Sequence, residues 1–189
     1  MNNKKSLRKK IIAERQLISA PIANEVSQKI GNFLLEIISK NSKVAGYCAV
    51  RGEVDVSGLL EKLQARGNKV ALPVIYDGSK ILKFLEVVSD STLVAGKYGI
   101  SCPQPHLPEI IPDVLIVPMV AFDDFGHRLG YGGGYYDATL ASLRYRNKKL
   151  LVIGVAYAMQ CVENLPIHDG DEKMDMVVTE EGIVILRGA

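Results

Sequence analysis

The run Val114-Leu-Ile-Val-Pro-Met-Val-Ala-Phe122 carries no charged side chain and leads straight into a glycine-rich turn. A strand without a polar face has no solvated side. It must be covered on both faces, as in a parallel sheet flanked by helices. Val44 to Val50, Val70 to Tyr76 and Leu150 to Tyr157 repeat the pattern in shorter form. Ile81 to Val88 reads as an edge strand, and Met176 to Val178 and Ile183 to Leu186 as short additions. Helical periodicity fills the intervals. Leu7, Ile11, Ile12 and Leu17 form a stripe over Lys4 to about Ile18. Pro21 suits a helix start, and Ile22, Val26, Ile30, Leu34, Ile37 and Ile38 continue that helix to Lys40. Ser57 is an N-cap candidate, with Leu59, Leu60 and Leu63 behind it and Gly67 as the stop. A fourth helix is expected from about Gly134 to Lys148, while Lys97 to Pro112 reads as a long loop. Alternating strands and helices predict an α/β fold. The expected form is one domain over residues 1–189, a three-layer sandwich with a mostly parallel central sheet covered by helices on both faces.

Composition narrows the function classes. Hydrophobic residues make up 48% and charged residues 23%, which fits a globular chain and not a disordered one. A net charge of +2 gives no ground for a nucleic-acid partner. Cys48, Cys102 and Cys161 lie far apart without a C-x-x-C pair, so neither a disulfide framework nor a zinc site is expected. No apolar run approaches the roughly 18 residues that span a bilayer. The basic start is not followed by a signal-type apolar stretch. The expectation is a cytoplasmic monomer without a membrane partner.

The chemistry is concentrated in Ala121-Phe-Asp-Asp-Phe-Gly-His-Arg-Leu-Gly-Tyr-Gly-Gly-Gly-Tyr-Tyr-Asp137. Gly130, Gly132, Gly133 and Gly134 remove side chains where a ligand would approach the backbone. The glycines run into a helix start, whose free N–H groups and positive dipole end suit an anion. Arg128 offers a planar donor fork for phosphate oxygens. Asp137, one turn into the helix, is a hard oxygen ligand suited to magnesium. In α/β sheets ligands sit beyond the carboxyl ends of the strands, where this turn falls. Neither G-x-x-x-x-G-K-[ST] nor G-x-G-x-x-G is present, so the Walker loop and the dinucleotide fingerprint are both excluded. The residues alone leave a plain glycine turn, with Tyr135 and Tyr136 packed on the sheet, as an open alternative.

Phe122-Asp123, Gly126, Arg128-Leu-Gly130, Gly132, Gly134 and Tyr135-Tyr136-Asp137 resemble the signature of the 5-formyltetrahydrofolate cyclo-ligase family. The resemblance extends over nearly the whole chain. It implies conversion of 5-formyltetrahydrofolate, polyglutamylated or not, to 5,10-methenyltetrahydrofolate, with ATP as co-substrate and magnesium (Mg2+) as cofactor. It assigns ATP binding to Lys4, Lys5, Ser6, Leu7 and Arg8 and to Arg128, Leu129, Gly130, Tyr131, Gly132, Gly133, Gly134, Tyr135 and Tyr136. It gives Arg128 the catalytic role. Cys48, Glu53, Tyr135 and Tyr136 are the implied folate contacts, and Asp137 and Asp175 the implied metal ligands. Asp169, Asp171 and Glu172 crowd the late acidic segment, so the choice of Asp175 rests on Lys173-Met174-Asp175 alone. Some members carry a lysine in the glycine loop, where this chain has Gly133. His127 reads as a solvent-exposed loop residue without a role. Met119 and Phe122 are candidates for an apolar wall, with core packing the stronger reading for Met119. Rival readings are a phosphate-binding protein without ligase activity, a sugar-phosphate isomerase and an RNA-binding accessory domain.

Overall fold

The computed structural model of the chain describes residues 2–88 and 93–187. Along the chain come α1 (Asn2–Arg15), α2 (Ala20–Ile37), β1 (Lys43–Ala45), α3 (Ser57–Ala65), β2 (Lys69–Val74), β3 (Lys83–Glu86), β4 (Leu93–Ala95) and β5 (Ser101–Pro103). These are followed by β6 (Val114–Pro118), β7 (Ala121–Phe122), β8 (Arg128–Leu129), α4 (Tyr135–Arg146), β9 (Leu151–Val155), β10 (Met176–Thr179) and β11 (Gly182–Val184). The central sheet has seven strands in the order β11-β10-β9-β6-β1-β2-β3. Its five inner strands are parallel, and β3 and β11 close the edges antiparallel.

Strand pleating sends alternate residues to opposite faces. Val44, Val114, Ile116 and Ile153 pack with Ile30 and Leu34 of α2 and Leu59 and Leu63 of α3. Ala45, Leu115, Val117 and Val152 pack with Leu140 and Leu143 of α4 on the other face. The sheet is therefore sandwiched as expected. The first helix has a different task. Its Ile11 packs with Val120, Ala121, Leu129 and Leu165, so α1 seats on the β7–β8 hairpin near the carboxyl ends of the parallel strands. Burying Ile11, at 3% exposure, stabilises that docking by about 1.5–3 kcal/mol.

Several boundaries differ from expectation. The run from Val114 to Phe122 is not one strand: β6 ends at Pro118, which has no N–H for a further ladder bond, and β7 then pairs with β8. The strand expected over Val44 to Val50 stops at Ala45. Beyond it, Gly46 lies so close to Leu60 that a Cβ would meet its side chain at 2.8 Å, and the chain turns away to form the loop that carries Cys48 and Glu53. Ser57 is the first helical residue and not the cap, which is Val56; the Ser57 N–H donates to Asp55 Oδ1 at 2.9 Å. The expected loop over 97–112 contains β5, paired with β4.

Candidate functional site

The glycine loop stands open at the start of α4. Gly134 caps the helix with φ 72°, and Gly132 has φ 98°, both left-handed conformations that a Cβ would strain. A Cβ added at Gly130 would meet nothing within 4 Å. Tyr131, Gly132 and Gly133 are exposed.

Cationic side chains surround this loop. Arg8 donates from Nε to the Gly130 carbonyl at 2.7 Å, and its guanidinium lies 3.5 Å from the point a Gly132 Cβ would occupy. One turn earlier, Lys4 pairs with Asp171 at 3.0 Å. Leu7 packs in the α1 cluster, whereas Lys5 and Ser6 are exposed. Helical spacing explains the division, since positions 4, 7, 8 and 11 share one face. Arg128 is only 4% exposed; it donates from Nη2 to Asp137 Oδ1 at 2.7 Å and from Nη1 to the Glu172 carbonyl at 2.6 Å. The Glu172 N–H also donates to Asp137 Oδ1, at 3.2 Å. Asp137 Oδ2 makes no hydrogen bond among the described residues and is the oxygen best placed to meet a cation.

Asp175 lies elsewhere. Its Oδ1 accepts from Arg144 Nη2 and its Oδ2 from the Val152 N–H, both at 2.7 Å, at the amino end of β9. Asp137 and Asp175 are joined only through Arg128, Glu172 and Arg144, with Glu172 Oε2 accepting from Arg144 Nη1 at 2.6 Å. No group of three or more His, Cys, Asp or Glu side chains suited to a metal forms among the described residues. Magnesium commonly takes one or two carboxylates and completes its shell with water and phosphate, a demand that Asp137 Oδ2 alone can begin to meet.

The implied folate residues converge on Tyr136. Glu53 is buried at 8% exposure; its Oε2 accepts the Val50 N–H at 3.0 Å, while Oε1 makes no hydrogen bond within 3.5 Å among the described residues, the Tyr131 side chain being its polar neighbour. Burial pushes the Glu53 carboxyl above its ordinary value, outweighing the Val50 amide and the nearby Arg15. Burial also raises the Tyr136 hydroxyl, with Glu53 and Cys48 adding to the effect and Arg128 opposing it. Tyr136 thus lies within electrostatic reach of both the phosphate-side arginine and the loop after β1. Cys48 is half-buried against the first core cluster, and burial raises its thiol. Tyr135 packs on the second cluster, and its hydroxyl meets that of Tyr98 at 3.3 Å.

Two of the readings from sequence need correction. His127 is not a free surface group: its Nδ1 lies 3.0 Å from Oδ2 of the buried Asp123, which also accepts the Phe125 and His127 N–H groups through Oδ1. A carboxylate that must be capped draws the histidine in. Phe122 and Met119 are each 1% exposed and belong to the core: the stronger reading of Met119 holds, and the wall reading of Phe122 fails.

Arg15 escaped notice in the sequence. It is 1% exposed and donates to the Arg51 carbonyl (3.2 and 3.0 Å), the Met119 carbonyl (3.1 Å) and the Tyr131 hydroxyl (2.6 Å). Tyr131 also receives the Arg51 guanidinium over its ring at 5.1 Å. Burial and the neighbouring Glu53 push the Tyr131 hydroxyl up to about 12. Arg15 thereby ties α1, the end of β6, the glycine loop and the Glu53 loop together. Its spacing of seven from Arg8, on the same helix face, is the only trace of this in the sequence.

A family model described as the 5-formyltetrahydrofolate cyclo-ligase family matches residues 1–180. The chain belongs to this family. A Haemophilus influenzae relative named 5-formyltetrahydrofolate cyclo-ligase is 33% identical over 180 residues, covering 90% of this chain and 95% of its own. One of the same name from Escherichia coli K12 is 39% identical over 141 residues, covering 72% and 76%. The solved structure of an Aquifex aeolicus 5,10-methenyltetrahydrofolate synthetase superposes with a TM-score of 0.81 at 34% identity, over 98% of this chain and 94% of that one. No described helix is long and apolar enough to cross a membrane.

Proposed function

We propose that this family member converts 5-formyltetrahydrofolate and ATP into 5,10-methenyltetrahydrofolate, ADP and phosphate. One juxtaposition carries the reading. An exposed glycine loop flanked by Arg8 and Arg128 is tied through Arg15, by the Tyr131 hydroxyl and the Arg51 carbonyl, to the segment that carries a buried carboxylate with a spare acceptor.

Ring closure onto the formyl carbon must expel its oxygen, and hydroxide is a poor leaving group. Transfer of the γ-phosphoryl group to that oxygen forms an O–P bond as the bond to ADP breaks. The nitrogen at position 10 then attacks the activated carbon and loses its proton, and phosphate departs with the former formyl oxygen. Such a reaction asks the protein for positioning and charge stabilisation, with no side-chain nucleophile. Arg128 supplies the fork that follows charge on the transferring group. Arg8 and Lys4 hold the polyphosphate from α1, and the loop N–H groups with the α4 dipole hold it from below. Glu53 Oε1 accepts an N–H from the pterin end of the folate. Tyr135 and Tyr136 supply flat, partly polar contacts. Asp137 would hold magnesium through Oδ2, with water and phosphate completing the shell, whereas Asp175 stays bound by Arg144 and the Val152 N–H. Magnesium would screen the phosphate charge. We place the enzyme in the cytoplasm as a monomer that accepts mono- and polyglutamylated folate.

The test is spectrophotometric. Purified protein with magnesium, ATP and 5-formyltetrahydrofolate should generate the absorbance of the methenyl product, and omission of ATP should abolish it. Folded protein that yields no product with all components present rules the proposal out.

A further inference from the structure

We propose that Lys80, in the connection between β2 and β3, is a phosphate-binding residue of the nucleotide site. The proposal rests on the nucleotide reading given above and extends it to a residue remote from the glycine motif. The Lys80 ammonium lies 3.8 Å from the point a Cβ of Gly134 would occupy and, the adjacent residues aside, is the only group among the described residues within 4 Å of that point. Gly134 is the N-cap of α4. Lys80 thus stands at the helix end of the glycine loop, and Arg8 at Gly132.

The position is built and does not come from a freely swinging side chain alone. The Leu82 N–H donates to Thr139 Oγ1 at 2.9 Å, and that hydroxyl donates to the Tyr135 carbonyl at 2.6 Å. Thr139 is fully buried, so the segment carrying Lys80 is docked on the first turns of α4. Within the same wall Lys97 is neutralised by Asp77 at 3.0 Å. Lys80 forms no ion pair among the described residues.

The electrostatics point the same way. A helix N-terminus carries partial positive charge, so a cation held there is unfavourable. The acid of the first turn, Asp137, is turned to Arg128 and does not meet Lys80. The Lys80 ammonium at the helix start and the Arg8 guanidinium at Gly132 gather positive charge at both ends of the glycine loop. A polyphosphate reverses the sign of each of these interactions. Lys80 is itself exposed, so its ammonium is open to a ligand arriving from solvent while its segment is pinned to α4.

Titration calorimetry with ATP and magnesium, without folate, on wild type, Lys80→Ala and Lys80→Arg tests the idea. The alanine variant should bind ATP about tenfold more weakly, the loss of one charge-assisted contact, and arginine should restore most of the affinity. In turnover the alanine variant should raise KM for ATP by a similar factor and leave KM for folate within about twofold. ATP affinity of Lys80→Ala within about twofold of wild type overturns the assignment. So does a rise confined to folate KM, which would put Lys80 on the carboxylate tail of the folate. A wild-type protein that binds ATP yet makes no methenyl product sinks the reaction proposed above and leaves the Lys80 comparison valid. A wild type that does not bind ATP sinks both.

Discussion

Arg128 is held by two groups, Asp137 and the Glu172 carbonyl, with which an incoming phosphoryl group must share it. Arg128→Ala removes the fork and leaves Asp137 unpaired. We expect turnover to fall by at least about a hundredfold in steady-state kinetics, the scale of losing one charge-stabilising donor at a reacting centre. Denaturant melts should show a cost of about 1–3 kcal/mol, since Asp137 is partly open to water. Retention of near-normal turnover would remove Arg128 from the chemistry. Glu53 makes the opposite prediction for stability. Its carboxyl is raised in the folded chain because burial outweighs Arg15 and the Val50 amide. Below the ordinary carboxyl range it is protonated in both states and costs nothing. As pH rises, the unfolded chain ionises first, so folding stability falls until the folded carboxyl also ionises. Glu53→Gln should therefore melt higher than wild type at neutral pH and converge with it in acid, while its folate KM rises. A variant that is less stable at pH 7 would show that Arg15 needs the Glu53 charge more than burial opposes it.

At the scale of elements, α1 lies against the β7–β8 hairpin and the glycine loop. Lys4 and Arg8 meet the late acidic loop and the glycine loop, and Arg15 anchors the far end. Arg15→Met should destabilise the fold by about 2–4 kcal/mol in urea, because the Arg51 carbonyl and the Tyr131 hydroxyl lose their donor. The Met119 carbonyl keeps Gln160 Nε2 at 2.7 Å and is spared. Arg15→Lys should rescue little, since one ammonium cannot reach three separated acceptors as the guanidinium does. Equal stability of Arg15→Met and wild type would mean that α1 is held by its apolar contacts alone. The helices and buried strands were legible in the sequence because periodicity and continuous apolar runs report the face a residue buries. The strand break at Pro118 was less so: the missing N–H is visible, but only the pairing of β7 with β8 shows where the chain goes next. The third helix starts one residue earlier than a Ser57 cap would put it, with Val56 at the cap and Asp55 accepting the Ser57 N–H, a local choice that propensity alone does not decide.

Across the whole molecule, the site is assembled from segments far apart in the chain: α1, the loop after β1, the glycine loop and the segment before β10. The glycine motif was legible because its chemistry is contiguous. Arg15 and Lys80 were not, because each acquires its meaning from a partner that only the fold brings near. A ligand gripping several segments at once should stabilise them together. ATP with magnesium at about a hundred times its Kd should add about 2.7 kcal/mol, a melting rise of about 5–10 °C for a chain of this size. Chelation of magnesium should reverse most of that rise, and Asp137→Asn should raise the magnesium concentration needed to produce it.

The central claim is that ATP makes the formyl oxygen a leaving group. Substrate carrying oxygen-18 in the formyl group decides it. Mass spectrometry of the products should find the label in inorganic phosphate, one atom per turnover. Label released to water, with unlabelled phosphate, would contradict transfer to that oxygen and with it the role given to the glycine loop and Arg128.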